Sequence, residues 1–80
     1  MEADVEELIR YVGRYLLKRP DYLDIEVESD NGKTLLLVSV HEQDRGRMIG
    51  RGGRTAQSLR TLVRTSGALN DEQYRMRIVD

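Results

Sequence analysis

The strongest constraint on the fold is a change of hydrophobic period between residues 5 and 28. Val5, Leu8, Ile9, Val12 and Leu16 recur at i, i+3, i+4, i+7 and i+11, the spacing that lines up one stripe of an amphipathic helix. From Leu23 the period drops to two, with Leu23, Ile25 and Val27 alternating with Asp24, Glu26 and Glu28, which buries one face of a strand and leaves the other acidic. Pro20 lies between the two patterns and stops the helix. In a chain of 80 residues there is room for one core, so helix must pack on sheet within a single α+β domain spanning 1–80.

The remaining elements follow from the same reading. Asn31-Gly32 tolerates the positive φ angles of a tight hairpin turn, and Lys33 to Val40 supplies a second strand. That run is apolar on both faces (Leu35, Leu36, Leu37, Val38, Val40); it suits a central strand covered on both sides, or one whose outer face is used for pairing. His41 through Ile49 reads as a two-turn helix closing at Gly50. Ala56, Leu59, Leu62 and Val63 mark a second long helix from about Gly53 to Ser66, ended by Gly67. Tyr74, Met76 and Ile78 alternate with Arg75 and Arg77 in a final strand. The order is α-β-β-α-α-β. A helical crossover between the last two strands makes them parallel, giving a three-stranded mixed sheet with helices on one face. Asp4, Glu6 and Glu7 near the start of the first helix, and Arg14, Lys18 and Arg19 near its end, suit the helix dipole. Gly13 within it points to a close approach by another element.

Composition narrows the function. No cysteine is present, which excludes disulfides, thiolate metal sites and cysteine nucleophiles and suits a reducing cytoplasm. No apolar run approaches a membrane span, and the first residues are acidic where a signal peptide is basic. The single histidine, His41, has no companion for metal binding or acid–base catalysis. These absences argue against an enzyme and imply no cofactor. The overall charge of −1 hides an asymmetry: residues 1–32 carry four basic and nine acidic side chains, a net of −5, whereas residues 41–67 carry six arginines against Glu42 and Asp44, a net of +4. An arginine-rich stretch inside an acidic chain marks a local anion-binding surface.

That stretch contains Met48-Ile49-Gly50-Arg51-Gly52-Gly53-Arg54, three glycines and two arginines between two helices. Glycines admit positive φ and close backbone approach, and the helix that follows presents N–H groups with partial positive charge. Arg51 and Arg54 add charge-assisted hydrogen bonds suited to phosphate oxygens. Two familiar phosphate loops do not fit. The nucleotide-hydrolase loop needs Gly-Lys-Ser/Thr, and the only Gly-Lys, Gly32-Lys33, opens a strand. A dinucleotide fingerprint needs glycine where Thr55 stands, and it follows a strand where this segment follows a helix.

Element order and loop together resemble the KH domain in its bacterial, type II αββααβ arrangement, most closely the short single-domain proteins of the KhpA family. Arg47-Met48-Ile49-Gly50-Arg51-Gly52-Gly53-Arg54-Thr55-Ala56 is similar to that family's core motif, and the resemblance covers nearly the whole chain. It implies a noncatalytic RNA-binding protein, acting as an RNA chaperone or post-transcriptional regulator. Its GxxG loop, Gly50-Arg51-Gly52-Gly53, would clamp the backbone of single-stranded RNA, with bases in a shallow apolar groove lined by Ile49. By the same correspondence Arg47, Arg54 and Gln57 lie near the bound strand. Homodimers, and heterodimers with a larger KH-containing protein (KhpB, also called Jag), are implied as partners. Arg60 and Arg64, at i and i+4 on the long helix, suit either phosphate contact or a solvated face. Tyr11, Tyr15, Tyr22 and Tyr74 fit packing better than base stacking. A rival reading makes the chain a dimerisation or adaptor module for a protein partner, as its acidic amino-terminal third allows.

Overall fold

The computed structural model describes residues 5–79. Helix α1 spans Val5–Leu16, strand β1 Asp24–Asp30, strand β2 Lys33–Ser39, helix α2 Arg45–Ile49, helix α3 Arg54–Leu69 and strand β3 Gln73–Ile78. Short 3₁₀ turns at Pro20–Tyr22, Glu42–Asp44 and Arg51–Gly53 join them. The sheet order is β1-β2-β3, β1 antiparallel and β3 parallel to β2, so the fold is the α+β, three-stranded mixed arrangement expected. Asp4 lies outside the described residues.

The register explains the single core. Ile25, Leu36 and Met76 share one face of the sheet with Val38, and all four are buried. Ile9 and Leu17 from the α1 region, Met48 from α2 and Leu59 and Val63 from α3 close over them, so the helices cover that face only. Asn31 and Gly32 both adopt positive φ (51° and 76°) at the hairpin, as their residue types predict. A Cβ on Gly13 would lie 2.9 Å from Leu23 Cδ2, the close approach that its place in the helix suggests.

Several expectations need correction. The α1 helix ends at Leu16, two residues before Lys18 and three before Arg19, because a carboxylate takes the backbone N–H groups of those two residues, as described below. Gly67 does not end α3. It is buried inside the helix where β3 crosses, and a Cβ there would meet Glu72 O at 2.8 Å and Tyr74 Cγ at 2.9 Å. The helix stops at Leu69, where Asn70 leaves helical geometry and Asp71 adopts a φ of 60°. Val27 and Leu62 are half exposed: Val27 lies toward the hairpin end of an edge strand, and Leu62 is turned off the Leu59–Val63 stripe. Tyr11 and Tyr15 project into solvent and contact each other, with ring centroids 5.2 Å apart, because the buried stripe of α1 runs through Val5, Ile9 and Gly13. Tyr74 packs against the core as expected.

Strand β2 is central, but it is covered on one side only. Its outward residues Leu35 and Leu37 remain partly exposed.

Candidate nucleic-acid interface

The glycine segment folds as a tight link between α2 and α3. Gly50 N donates back to Gly46 O at 2.8 Å and closes α2. Gly50 itself has φ 78° and ψ 170°, a region open essentially to glycine alone. A Cβ there would fall 2.7 Å from Thr55 Cβ and 2.9 Å from Thr55 N. The chain then turns through Arg51–Gly53, with Gly53 N donating to Gly50 O at 3.1 Å, and Gly53 in the left-handed region becomes the residue before α3. No side chain caps α3. Its first turn therefore offers backbone N–H donors at the loop, and Arg51 and Arg54 stand exposed on either side of Gly52 and Gly53. Nothing lies within 4 Å of the Cβ positions of Gly52 and Gly53, so the outer surface of the loop is open.

The other expected residues extend this surface along α3. At about 100° per residue, Arg54, Gln57, Arg60 and Arg64 fall on one flank, and Gly67, against which β3 packs, lies on the same side. Arg54, Gln57 and Arg64 are exposed and Arg60 is half-buried. Ile49, at the base of the loop, is 39% exposed, an apolar contact beside the arginines. The opposite flank carries Leu62 and Leu69, both exposed. Arg47 is placed differently from the others. Its Nη1 donates to Gln43 O at 3.2 Å and to Asp44 Oδ1 at 3.3 Å, so one of its nitrogens is committed to the fold.

The residue that sequence reasoning missed is Asp44. Its side chain is completely buried. It occupies the position before α2 but makes no capping bond there. Instead it reaches across the chain to accept from Lys18 N at 3.1 Å and Arg19 N at 2.7 Å, with Arg47 as its ion-pair partner. Burial works against ionisation of this carboxyl. The N–H groups of Arg19 and Lys18, and after them the Arg47 guanidinium and the neighbouring His41, outweigh it and hold the pKa below the ordinary 3.8. Beside it, the Arg19 guanidinium lies 4.8 Å over the Tyr22 ring, Tyr22 meets His41 edge-on at 4.8 Å, and His41 Nδ1 accepts from Gln43 N. Asp44 thus ties the end of α1 to the start of α2 and so sets the angle at which α2 delivers Gly50. The only signal in the sequence is a lone pair of carboxylates in an arginine-rich stretch.

The sequence that folds into this short α2, glycine turn and uncapped α3 matches a known family. The family model described as the KH domain of KhpA/KhpB matches residues 6–78. The chain belongs to this KH-domain family. Relatives named "RNA-binding protein KhpA" include one from Treponema pallidum, 36% identical over 94% of each chain. Another from Bacillus subtilis is 34% identical over 99% of this chain and 98% of its own, and one from Streptomyces coelicolor is 38% identical over 95% and 92%. The family match reaches from the first turn of α1 to the end of β3. The glycine segment lies between α2 and α3. Among the described residues no helix is long and apolar enough to cross a membrane, and no cluster of histidine and acidic side chains could hold a metal.

Proposed function

We propose that this chain, 1–80, is a single noncatalytic KH domain that holds a short single-stranded RNA. The Gly50–Gly53 loop clamps the backbone, and Arg51, Arg54 and the first N–H groups of α3 receive phosphates. Bases pass over Ile49 and along the flank bearing Gln57, Arg60 and Arg64, and Arg47 borders the track. The observation that carries this reading is the open, uncapped loop between two arginines, with a glycine at Gly50 that no other residue can replace without strain. The names of the relatives point the same way. The role is that of an RNA chaperone or post-transcriptional regulator in the cytoplasm. One site of this size makes few contacts, so self-association, as a homodimer or with a larger KH-containing protein of the KhpB/Jag kind, raises affinity by avidity when both sites reach one RNA.

Salt dependence tests the reading. Binding of a short unstructured RNA, followed by fluorescence anisotropy, is expected to weaken with a log–log slope of about −2 to −3 in salt. That corresponds to three or four phosphate contacts at roughly −0.7 each on a single strand. A slope near zero, or no binding at high protein concentration, would instead favour the adaptor reading, in which the acidic amino-terminal third and its protein partner carry the function.

A further inference from the structure

The acidic amino-terminal third holds a basic island. All four of its basic residues, Arg10, Arg14, Lys18 and Arg19, fall between Leu8 and Pro20, where no acidic residue occurs. Folding sorts them. The buried stripe of α1 runs through Val5, Ile9 and Gly13, and the opposite face, at about 100° per residue, brings Tyr11, Arg14, Tyr15 and Lys18 together. All four are exposed, Tyr15 by 79%. The Tyr11 and Tyr15 rings meet at 5.2 Å with a tilt of 57°, and neither belongs to the core. Tyr22, by contrast, is committed: the Arg19 guanidinium covers its ring at 4.8 Å and His41 meets it edge-on. Among the described residues neither Arg14 nor Lys18 has an ion-pair partner. A single exposed aromatic needs no explanation, but two in contact, set among cations that the fold does not use, form a surface of definite chemistry.

We propose that this face of α1 is a second nucleic-acid contact, on which bases of a single strand stack against Tyr11 and Tyr15 while Arg14 and Lys18 receive its phosphates. Aromatic rings interleaved with cations hold single strands with little regard to sequence, because every base has a π face. Arg14 and Lys18 lie four residues apart, about 6 Å along the helix axis, so each can meet a different phosphate of one strand. An acidic protein segment would satisfy the two cations but offers no planar groups for the tyrosines. The face also lies where a strand leaving the glycine loop can reach it, and for that continuity the proposal rests on the loop reading above. Asp44 Oδ1 accepts from both Lys18 N and Arg47 Nη1, at 3.1 and 3.3 Å. The carboxyl end of the α1 face is thereby held beside the residue that borders the proposed track. An RNA longer than the loop can clamp passes Arg47 and continues onto α1.

RNA length separates the two contacts. Anisotropy is to be measured on unstructured RNAs of about four nucleotides, the length a GxxG loop clamps, and on RNAs about three times as long. The proteins compared are wild type, Tyr11→Ala/Tyr15→Ala and Arg14→Gln/Lys18→Gln. Alanine and glutamine are good helix formers at exposed positions, so both variants are expected to keep the wild-type melting temperature. The tyrosine variant is expected to bind the longer RNA about tenfold or more weakly than wild type does, and the shorter RNA equally well. The cationic variant is expected to flatten the log–log salt slope on the longer RNA by about 1.4, from two contacts at roughly −0.7 each. Because the chain has four tyrosines and no tryptophan, stacking is also read directly, as quenching of tyrosine emission by the longer RNA that shrinks in the tyrosine variant. Equal affinity of wild type and the tyrosine variant for the longer RNA would overturn the α1 contact, as would an equal loss on both lengths. So would a polyglutamate peptide that binds wild type but neither variant while RNA binding is unchanged, which would give the face to an acidic protein. Arg51→Asp/Gly52→Asp, run in parallel, keeps the two claims apart. It is expected to weaken binding of both lengths; if it binds both as wild type does, the clamp fails, while a tyrosine-dependent loss on the longer RNA still supports the α1 contact.

Discussion

Gly50→Ala is expected to lower the melting temperature by about 10 °C and to weaken RNA binding by tenfold or more. The residue sits at φ 78° and ψ 170°, where a side chain costs about 1–3 kcal/mol in backbone strain, and its Cβ would be forced to 2.9 Å from Thr55 N. For a domain of this size each kcal/mol moves the midpoint by about 4–8 °C. Relief requires the loop to move away from the first turn of α3, which is the part proposed to receive phosphate. Gly46→Ala is the control. Gly46 lies within α2 with open space where its Cβ would go, so alanine there is expected to leave binding unchanged and the midpoint equal or slightly raised. Differential scanning fluorimetry with anisotropy on the same samples checks both.

The second large effect is expected at Asp44. Removing its carboxylate by Asp44→Ala leaves the part-buried N–H groups of Lys18 and Arg19 without their acceptor, and releases Arg47. A melting temperature lower on the order of 10 °C follows, together with weaker RNA binding, because α2 is no longer held against the end of α1. The pH dependence has a definite sign. The folded-state pKa lies below the ordinary 3.8, so the unfolded chain takes up the proton first as pH falls. The stability due to this carboxylate is complete above 3.8 and is lost as pH drops through the lower folded-state value. Urea midpoints of wild type and Asp44→Asn should therefore differ by a constant amount from pH 7 to 5 and converge below about pH 4. A difference that grows on acidification would contradict the assignment.

These two residues also mark what is legible in the sequence. Gly50 is visible because its signal is local: a glycine that ends one apolar pattern just before another begins, as at Asn31-Gly32. The same local periodicity yields the helix order, the hairpin and the parallel crossover. What escapes is every feature set by a distant contact. The end of α1 is decided by Asp44, 25 and 26 residues away, so the favourable placing of Lys18 and Arg19 on a helix dipole misleads. Gly67 reads as a stop signal, yet it is glycine because β3 crosses the helix there, and only Glu72 and Tyr74 reveal that. The doubly apolar β2 leaves two readings open, since periodicity shows that both faces are apolar and not what covers each. Along α3 the motif picks out Arg54 and Gln57, whereas the half-burial of Arg60 and the commitment of one Arg47 nitrogen depend on packing.

The central claim is that the glycine loop grips a nucleic-acid backbone, and one comparison tests it most directly. Anisotropy of a short, unstructured RNA library is to be measured with wild type and with Arg51→Asp/Gly52→Asp, whose folding is verified by circular dichroism and thermal unfolding. Both positions are exposed and clear of the core, and the change sets two carboxylates where phosphate should lie. Loss of about 100-fold or more in affinity is expected, from a reversed charge and lost charge-assisted bonds worth about 1.5–3 kcal/mol each, in a protein that still melts cooperatively. Equal binding by the folded double variant would contradict the account and move the RNA site away from this loop.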